Sequence, residues 1–237
     1  VVEAPEWLAP EWPLLLFHAA GGPGDVRVQG AGHIAGPWSD LGLALHAPGA
    51  VKSVFARVHN ASRALQVLVT VAAASQTNAG NNCSAPTYAF EGTSVTNLLA
   101  MGPLPKACGP VLSTSLGAAP QELWAVSHPE EGVVTLAPDA GPEGTEALLS
   151  AEEAAHGVTV TPPGAAGPWL LWWARTDGAV WQVAGAPLEQ RAGRWRRFGP
   201  LQSALFAETS CGPFGLFSAL LQGQLYVLSG ARCAAVA

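Results

Sequence analysis

The sequence predicts an all-β fold, a five-bladed β-propeller of four-stranded antiparallel blades, and three observations predict it. Charged residues make up only 12% of 237, while Gly (27) and Pro (20) are abundant. That balance suits short strands and tight turns and denies long amphipathic helices a charged face. A pattern of apolar run, turn and apolar run recurs about five times. The copies are spaced by about the length of one four-stranded blade.

The first copy runs from Leu16 and Phe17 through Gly21, Gly22, Pro23 and Gly24 to Asp25, Val26, Arg27 and Val28. The second runs from Val54, Phe55, Ala56 and Arg57 through Asn60 to Arg63, then Ala64, Leu65, Gln66 and Val67. The third takes 116–121 as its first strand and Glu122, Leu123, Trp124, Ala125 and Val126 as its second. The fourth, 172–183 (WWARTDGAVWQV), is the clearest. Its Asp177-Gly178 pair between apolar runs marks a tight hairpin, because Gly accepts positive φ. The fifth runs from Leu216 to Leu220 and, after Gln222-Gly223, through Gln224, Leu225, Tyr226 and Val227. A second segment recurs beside the hairpins: WSDLG at 38–42 resembles WRRFG at 195–199, and LAMGPL at 99–104 resembles FGPL at 198–201. Cys108-Gly109-Pro110 and Cys211-Gly212-Pro213 each stand just before a new copy.

The closing valines, at 28, 67, 126, 183 and 227, are 39, 59, 57 and 44 residues apart. The longer gaps locate insertions: the polar stretch from Ser75 to Asn82, and the acidic, Gly- and Pro-bearing stretch from Pro138 to Glu153, a loop or a short helix near Glu152. The last copy ends too soon to finish a blade. The N-terminal segment around Trp7 is therefore expected to join the C-terminal blade, which would remove free sheet edges. Residues 1–237 read as a single propeller domain. A β-sandwich with coincidental hairpins is the alternative.

Four cysteines, Cys83, Cys108, Cys211 and Cys233, contain no CxxC pair, which argues against a zinc knuckle or a thioredoxin-like site. Local disulfides Cys83–Cys108 and Cys211–Cys233 are the preferred pairing of three possible ones. Two N-glycosylation sequons, at Asn60 and Asn82, join the even cysteine count in pointing to an oxidising, secreted or lumenal setting. No signal peptide is visible at Val1 and no apolar run reaches the length of a membrane span. A net charge of −6 argues against nucleic acid. The one basic cluster, Arg191, Arg194, Arg196 and Arg197, reads as a solvated hairpin.

The segments at 55–57, 173–181, 38–42 and 195–199 are similar to the F-x-R-x-x-D-G-x-x-W hairpins and W-x-x-L-G segments of the PLL-like propeller lectins, with the five-bladed tachylectin type as a looser relative. The resemblance implies shallow sugar sites at or between blades. The fourth unit matches well in sequence, and the other copies are degenerate.

No catalytic constellation emerges. The six histidines form no metal-binding pair with Glu, there is no Gly-x-Ser-x-Gly elbow or P-loop, and His18 reads as a core or channel residue. Glu122 and Glu208 read as strand-end acids rather than a glycosidase pair. What remains is the aromatic set. Indole faces stack on sugar rings while Arg, Asp and Gln satisfy hydroxyls. The candidate ligand-binding residues are Arg175, Trp181 and Trp195, with Trp38, Arg57 and Trp124 as counterparts. The expected function is carbohydrate binding without catalysis, cofactor or metal, with glycans or a cell-surface or secreted glycoprotein as partner. A protein-binding ectodomain is the alternative.

Overall fold

The computed structural model describes residues 1–33, 36–59, 62–72, 85–104, 108–115, 123–128, 132–137, 147–150, 153, 158–161, 169–177, 180–191, 194–198, 203–208, 217–221 and 224–228. Within them every regular element is a β-strand, and there is no helix. The strands form five antiparallel sheets that follow one another along the chain. The first sheet contains β1 (Val2–Glu3), β2 (Leu14–Ala19), β3 (Asp25–Ala31) and β4 (Ser39–His46). The second contains β5 (Val51–His59), β6 (Ala64–Val71), β7 (Thr87–Gly92) and β8 (Leu99–Pro103), and the third β9 (Val111–Ser115), β10 (Leu123–His128), β11 (Val133–Ala137) and β12 (Ala147–Ser150). The fourth contains β13 (Val158–Thr161), β14 (Trp169–Asp177), β15 (Val180–Arg191), β16 (Arg194–Arg197) and β17 (Ser203–Glu208). In the fifth, β18 (Phe217–Leu221) pairs with β19 (Gln224–Leu228). Each of the first three is a meander, in which every strand pairs with its neighbour in sequence, and so are β13 to β16 of the fourth, whose β17 pairs with β15.

Residues Val1–Val111 form one compact unit and Leu112–Ala237 a second. The first unit buries one face of each of its two sheets in a shared core. Leu15, Phe17, Val26 and Val28 come from the first sheet, and Val58, Leu65, Val67, Val69 and Phe90 from the second. Leu15, Val26, Val28, Leu65, Val67 and Val69 have no exposed surface, and each such burial contributes about 1.5–3 kcal/mol. Trp12 packs on this core across Gly30, where a Cβ would lie 2.6 Å from the indole. In the second unit Ala125, Val134, Leu148 and Leu149 of the third sheet pack with Leu171, Trp173, Ala186, Leu188 and Trp195 of the fourth.

The second, third and fourth sheets are buried on both faces of an interior strand. Consecutive residues are buried along β6, at Val134 and Thr135 of β11, and at 185–188 of β15. In the first sheet Leu14 and Leu15 of β2 are both buried, but from Asp25 to Gln29 of β3 buried and half-exposed residues alternate, with Val26 and Val28 inward.

Four expected hairpins form, β2–β3, β5–β6, β14–β15 and β18–β19, but they are not equivalent copies. β2–β3 and β14–β15 join the second and third strands of their sheets, whereas β5–β6 joins strands one and two. Val28 and Val183 therefore lie on the third strands of their sheets and Val67 on a second strand, which contributes to the uneven spacing. The sheets themselves begin at Val2, Val51, Val111, Val158 and Phe217, about 50 to 60 residues apart. Residues 116–121, expected to begin the third copy, lie outside the described residues, and β10 has β9 beside it.

A better marker of the unit is a bulge on the last strand. In β4, Asp40 pairs with Gln29 and Gly42 with Val28, so Leu41 is the extra residue. In β8, Ala100 pairs with Phe90 and Gly102 with Ala89, so Met101 is extra. Gly42 (φ 107°) and Gly102 (φ 105°) share one left-handed conformation. In the fourth sheet the corresponding strand is split: β16 pairs with 188–191 of β15 and β17 with 180–185. The apolar run at Leu205-Phe206 lies on β17 and so belongs to the fourth sheet.

At the N-terminus β1 pairs with β2 within the first sheet. The Trp7 segment is turn rather than strand: the amides of Leu8 and Ala9 donate to the Pro5 carbonyl, and that of Trp12 to the Ala9 carbonyl. Pro5, Pro10 and Pro13 cannot donate to a ladder, which disfavours a continuous strand there. Most of 138–153 lies outside the described residues, but β12 falls within it. There the Ser150 amide donates to Glu153 Oε2 (2.8 Å) and the Glu153 amide to Ser150 Oγ (3.1 Å). This is the reciprocal pattern of a capping box, formed with no helix among the described residues.

Candidate functional site

The alternation Asp25-Val26-Arg27-Val28-Gln29 sends the valines into the core and the three polar side chains to the opposite face of the first sheet. Register brings others to that face. His18 of β2 lies opposite Arg27, Leu16 opposite Gln29, and Gln29 opposite Asp40 of β4. The result is a shallow row of His18, Arg27, Gln29 and Asp40, extended by Asp25 and His46.

Two ion pairs organise the row. Arg27 donates through Nε to Asp40 Oδ1 (3.3 Å) and through a terminal amino group to Oδ2 (2.5 Å), a two-pronged contact. The Gly42 amide, set by the bulge, donates to Asp40 Oδ1 (3.0 Å). The Arg27 hydrogen bond, followed by that amide, holds the Asp40 carboxyl below its ordinary range. The same hydrogen bond, then the carboxylate charge, raises Arg27. Both side chains remain 41% and 49% exposed, so solvent screens the pair and it adds little to stability. Beyond it, His46 Nδ1 lies 2.7 Å from Asp25 Oδ1. At the other end Trp38, half-buried, stands two residues before Asp40. Gly36 (φ 73°) makes room for it: a Cβ there would come within 3.0 Å of Trp38 Cδ1. An indole this near Asp40 along the chain could supply the apolar face, and the row the donors and acceptors, that a polar ring requires.

Of the residues singled out from the sequence, Trp38 alone adjoins β4 of this row along the chain. Arg57 is 5% exposed, on the second sheet. It donates through Nε to Gln66 Oε1 (2.8 Å), and Gln66 in turn pairs in register with Glu91. Burial pushes the Arg57 guanidinium down to about 10, against the opposing pull of the Glu91 charge. Trp195 is 9% exposed in the second unit's core. Leu98 occupies the matching place in the second sheet, four residues before its bulge glycine, and is also buried. Arg175 pairs in register with Gln182, Trp181 with Thr176, and Trp124 with Ala137. The six residues are thus spread over four sheets.

Cys108 is disulfide-bonded. Cys83, Cys211, Cys233, Asn60, Asn82 and Glu122 lie outside the described residues. In the basic cluster, Arg196 is bound by Glu189 on the neighbouring strand, through Nε at 2.6 Å. Arg197 lies 3.7 Å from Glu153 and 5.2 Å above the Trp173 ring. His18 is half-buried on the polar face, its Nδ1 3.0 Å from the Ala19 carbonyl. Arg27, Gln29 and Asp40 were not among the sequence candidates. The signal for them was the period-two polar alternation in 25–29 together with the WSDLG segment.

Among the described residues no group of three His, Cys, Asp or Glu side chains could hold a metal ion, and no helix is long and apolar enough to cross a membrane. No protein-family model and no curated protein matches the chain.

Proposed function

We propose that this chain is a secreted, propeller-type glycan-binding protein whose five sheets are blades and whose sugar site is the polar face of the first sheet. One observation carries the reading: from Asp25 to Gln29 of β3 that face alternates and stays half-exposed, whereas β6 and residues 185–188 of β15 are buried on both faces. Successive four-stranded meanders and a recurring bulge favour blades over the two sheets of a sandwich. Trp38 would stack on the sugar, while Arg27, Asp40 and Gln29 meet its hydroxyls. The disulfides Cys83–Cys108 and Cys211–Cys233 and glycans on Asn60 and Asn82 belong to the same proposal. The test is a glycan array probed with the full chain and with Trp38→Ala, folding being checked by thermal melting. Binding to a defined set of oligosaccharides, weakened about tenfold by the substitution, is the expected result. A silent array, or unchanged binding by a folded Trp38→Ala protein, would overturn it.

A protein partner is the second reading. The edge strand β8 exposes Leu99 (71%) and Met101 (65%), a pair of apolar side chains suited to a partner strand. Leu99→Asp should then abolish partner binding and leave glycan binding intact, whereas loss of both would tie the two readings to one surface.

A further inference from the structure

We propose that the first-sheet site selects neutral sugars, and that Asp40 is the residue that excludes acidic ones; this rests on the glycan-binding reading above. Arginine is the side chain best fitted to take a sugar carboxylate or sulfate, because its planar fork meets two oxygens at once. In this row that fork is already taken. Nε and one terminal amino group of Arg27 lie on the two oxygens of Asp40, and the Gly42 amide fixes one of those oxygens in place. An incoming anion would have to displace the carboxylate and then sit beside it.

At the far end of the row His46 Nδ1 lies against Asp25. The row therefore offers no guanidinium without a carboxylate partner. It offers instead an acceptor and a donor side by side: the remaining lone pairs of Asp40, and the Arg27 amino group not engaged with it. Two neighbouring hydroxyls of a neutral ring match that spacing, one donating to the carboxylate and one accepting from the guanidinium. The whole chain, at −6, further disfavours anionic ligands at low salt. Arg196 with Glu189 and Arg197 with Glu153 show the same cancellation elsewhere.

The experiment uses the full chain and three probes: immobilised neutral galactosides, fucosides and mannosides; sialylated glycans; and sulfated glycans. These are read for the native sequence, Asp40→Asn and Arg27→Gln, each with a thermal melt. The native protein should bind one or more neutral probes, no acidic probe, and be insensitive to salt. Asp40→Asn should release the Arg27 fork, gain sialylated or sulfated glycans in a salt-sensitive manner, and lose neutral binding about tenfold. Arg27→Gln should lose neutral binding and gain nothing. Acidic glycans bound by the native protein and lost in Arg27→Gln would overturn neutral selection and leave the glycan-binding reading standing. So would an Asp40→Asn protein that stays folded with unchanged preference. Silence of the native protein on all three probe classes would remove both.

Discussion

His59 illustrates how a single side chain couples the second sheet to pH. It lies on β5 two residues after Arg57, on the same face by alternation. Burial, then the positive charge of Arg57, lowers its pKa, and Glu91 opposes both. The unfolded chain, with an ordinary value near ~6.5, therefore takes up a proton more readily than the folded one. Stability is unaffected by His59 above that value and falls as pH drops from about 6.5 through the lower folded value. Urea midpoints measured at about pH 7.5 and about pH 5 should thus differ more for the native protein than for His59→Gln. Equal differences would show that His59 carries no such linkage. At this scale the sequence is only partly informative. Val26 and Val28 announce the buried face of β3 by their period alone. The partnership of Arg27 with Asp40 does not announce itself, because it spans 13 residues and crosses a register shift that spacing cannot count. Trp195 and Arg57 look like ligand contacts in isolation, yet both are buried.

The elements show why hairpins were readable and the repeat register was not. A hairpin is local: Asp177 pairs with Val180 across two residues that include Gly178, and turn chemistry alone marks it. Which strands of a sheet a hairpin joins is not local. In sheets buried on both faces the second and third strands carry similar apolar runs, so Val67 and Val183 look alike while lying on different strands. The bulge is the discriminating element, because it depends on a backbone conformation that few residues adopt. At Gly42 and Gly102 an added Cβ would meet nothing within 4 Å, so conformation and not space requires glycine. Gly42→Ala and Gly102→Ala should each lose about 1–2 kcal/mol from the left-handed conformation, measured by urea unfolding. Gly32, which is equally uncrowded and has no such φ, should tolerate Ala with little change. Equal losses at all three positions would mean that helical or strand propensity, not the bulge, sets the cost. Gly42 matters beyond stability, since its amide fixes Asp40.

At the scale of the molecule, covalent connection decides how independent the two compact units are. Each holds two cysteines: Cys83 and Cys108 fall within Val1–Val111, and Cys211 and Cys233 within Leu112–Ala237. Local pairing closes a loop inside each unit and stabilises it by about 2–4 kcal/mol through the restricted unfolded chain. Either of the other two pairings would tie the units together and restrict a loop of a hundred residues or so. The Cys108 segment is held firmly on its own side. Thr87 Oγ1 donates to the Gly109 carbonyl (2.9 Å) and lies 2.8 Å from Thr70 Oγ1, a buried chain joining β6 and β7 to the stretch before β9. This anchoring favours a partner for Cys108 from the first unit, as the sequence order also suggests. A specific protease site placed within 116–122 separates the alternatives. After cleavage, denaturing electrophoresis without reductant should resolve two fragments of about half the chain. A single band that splits only on reduction would require Cys108 to pair with Cys211 or Cys233, and the unit-by-unit disulfide scheme would fall.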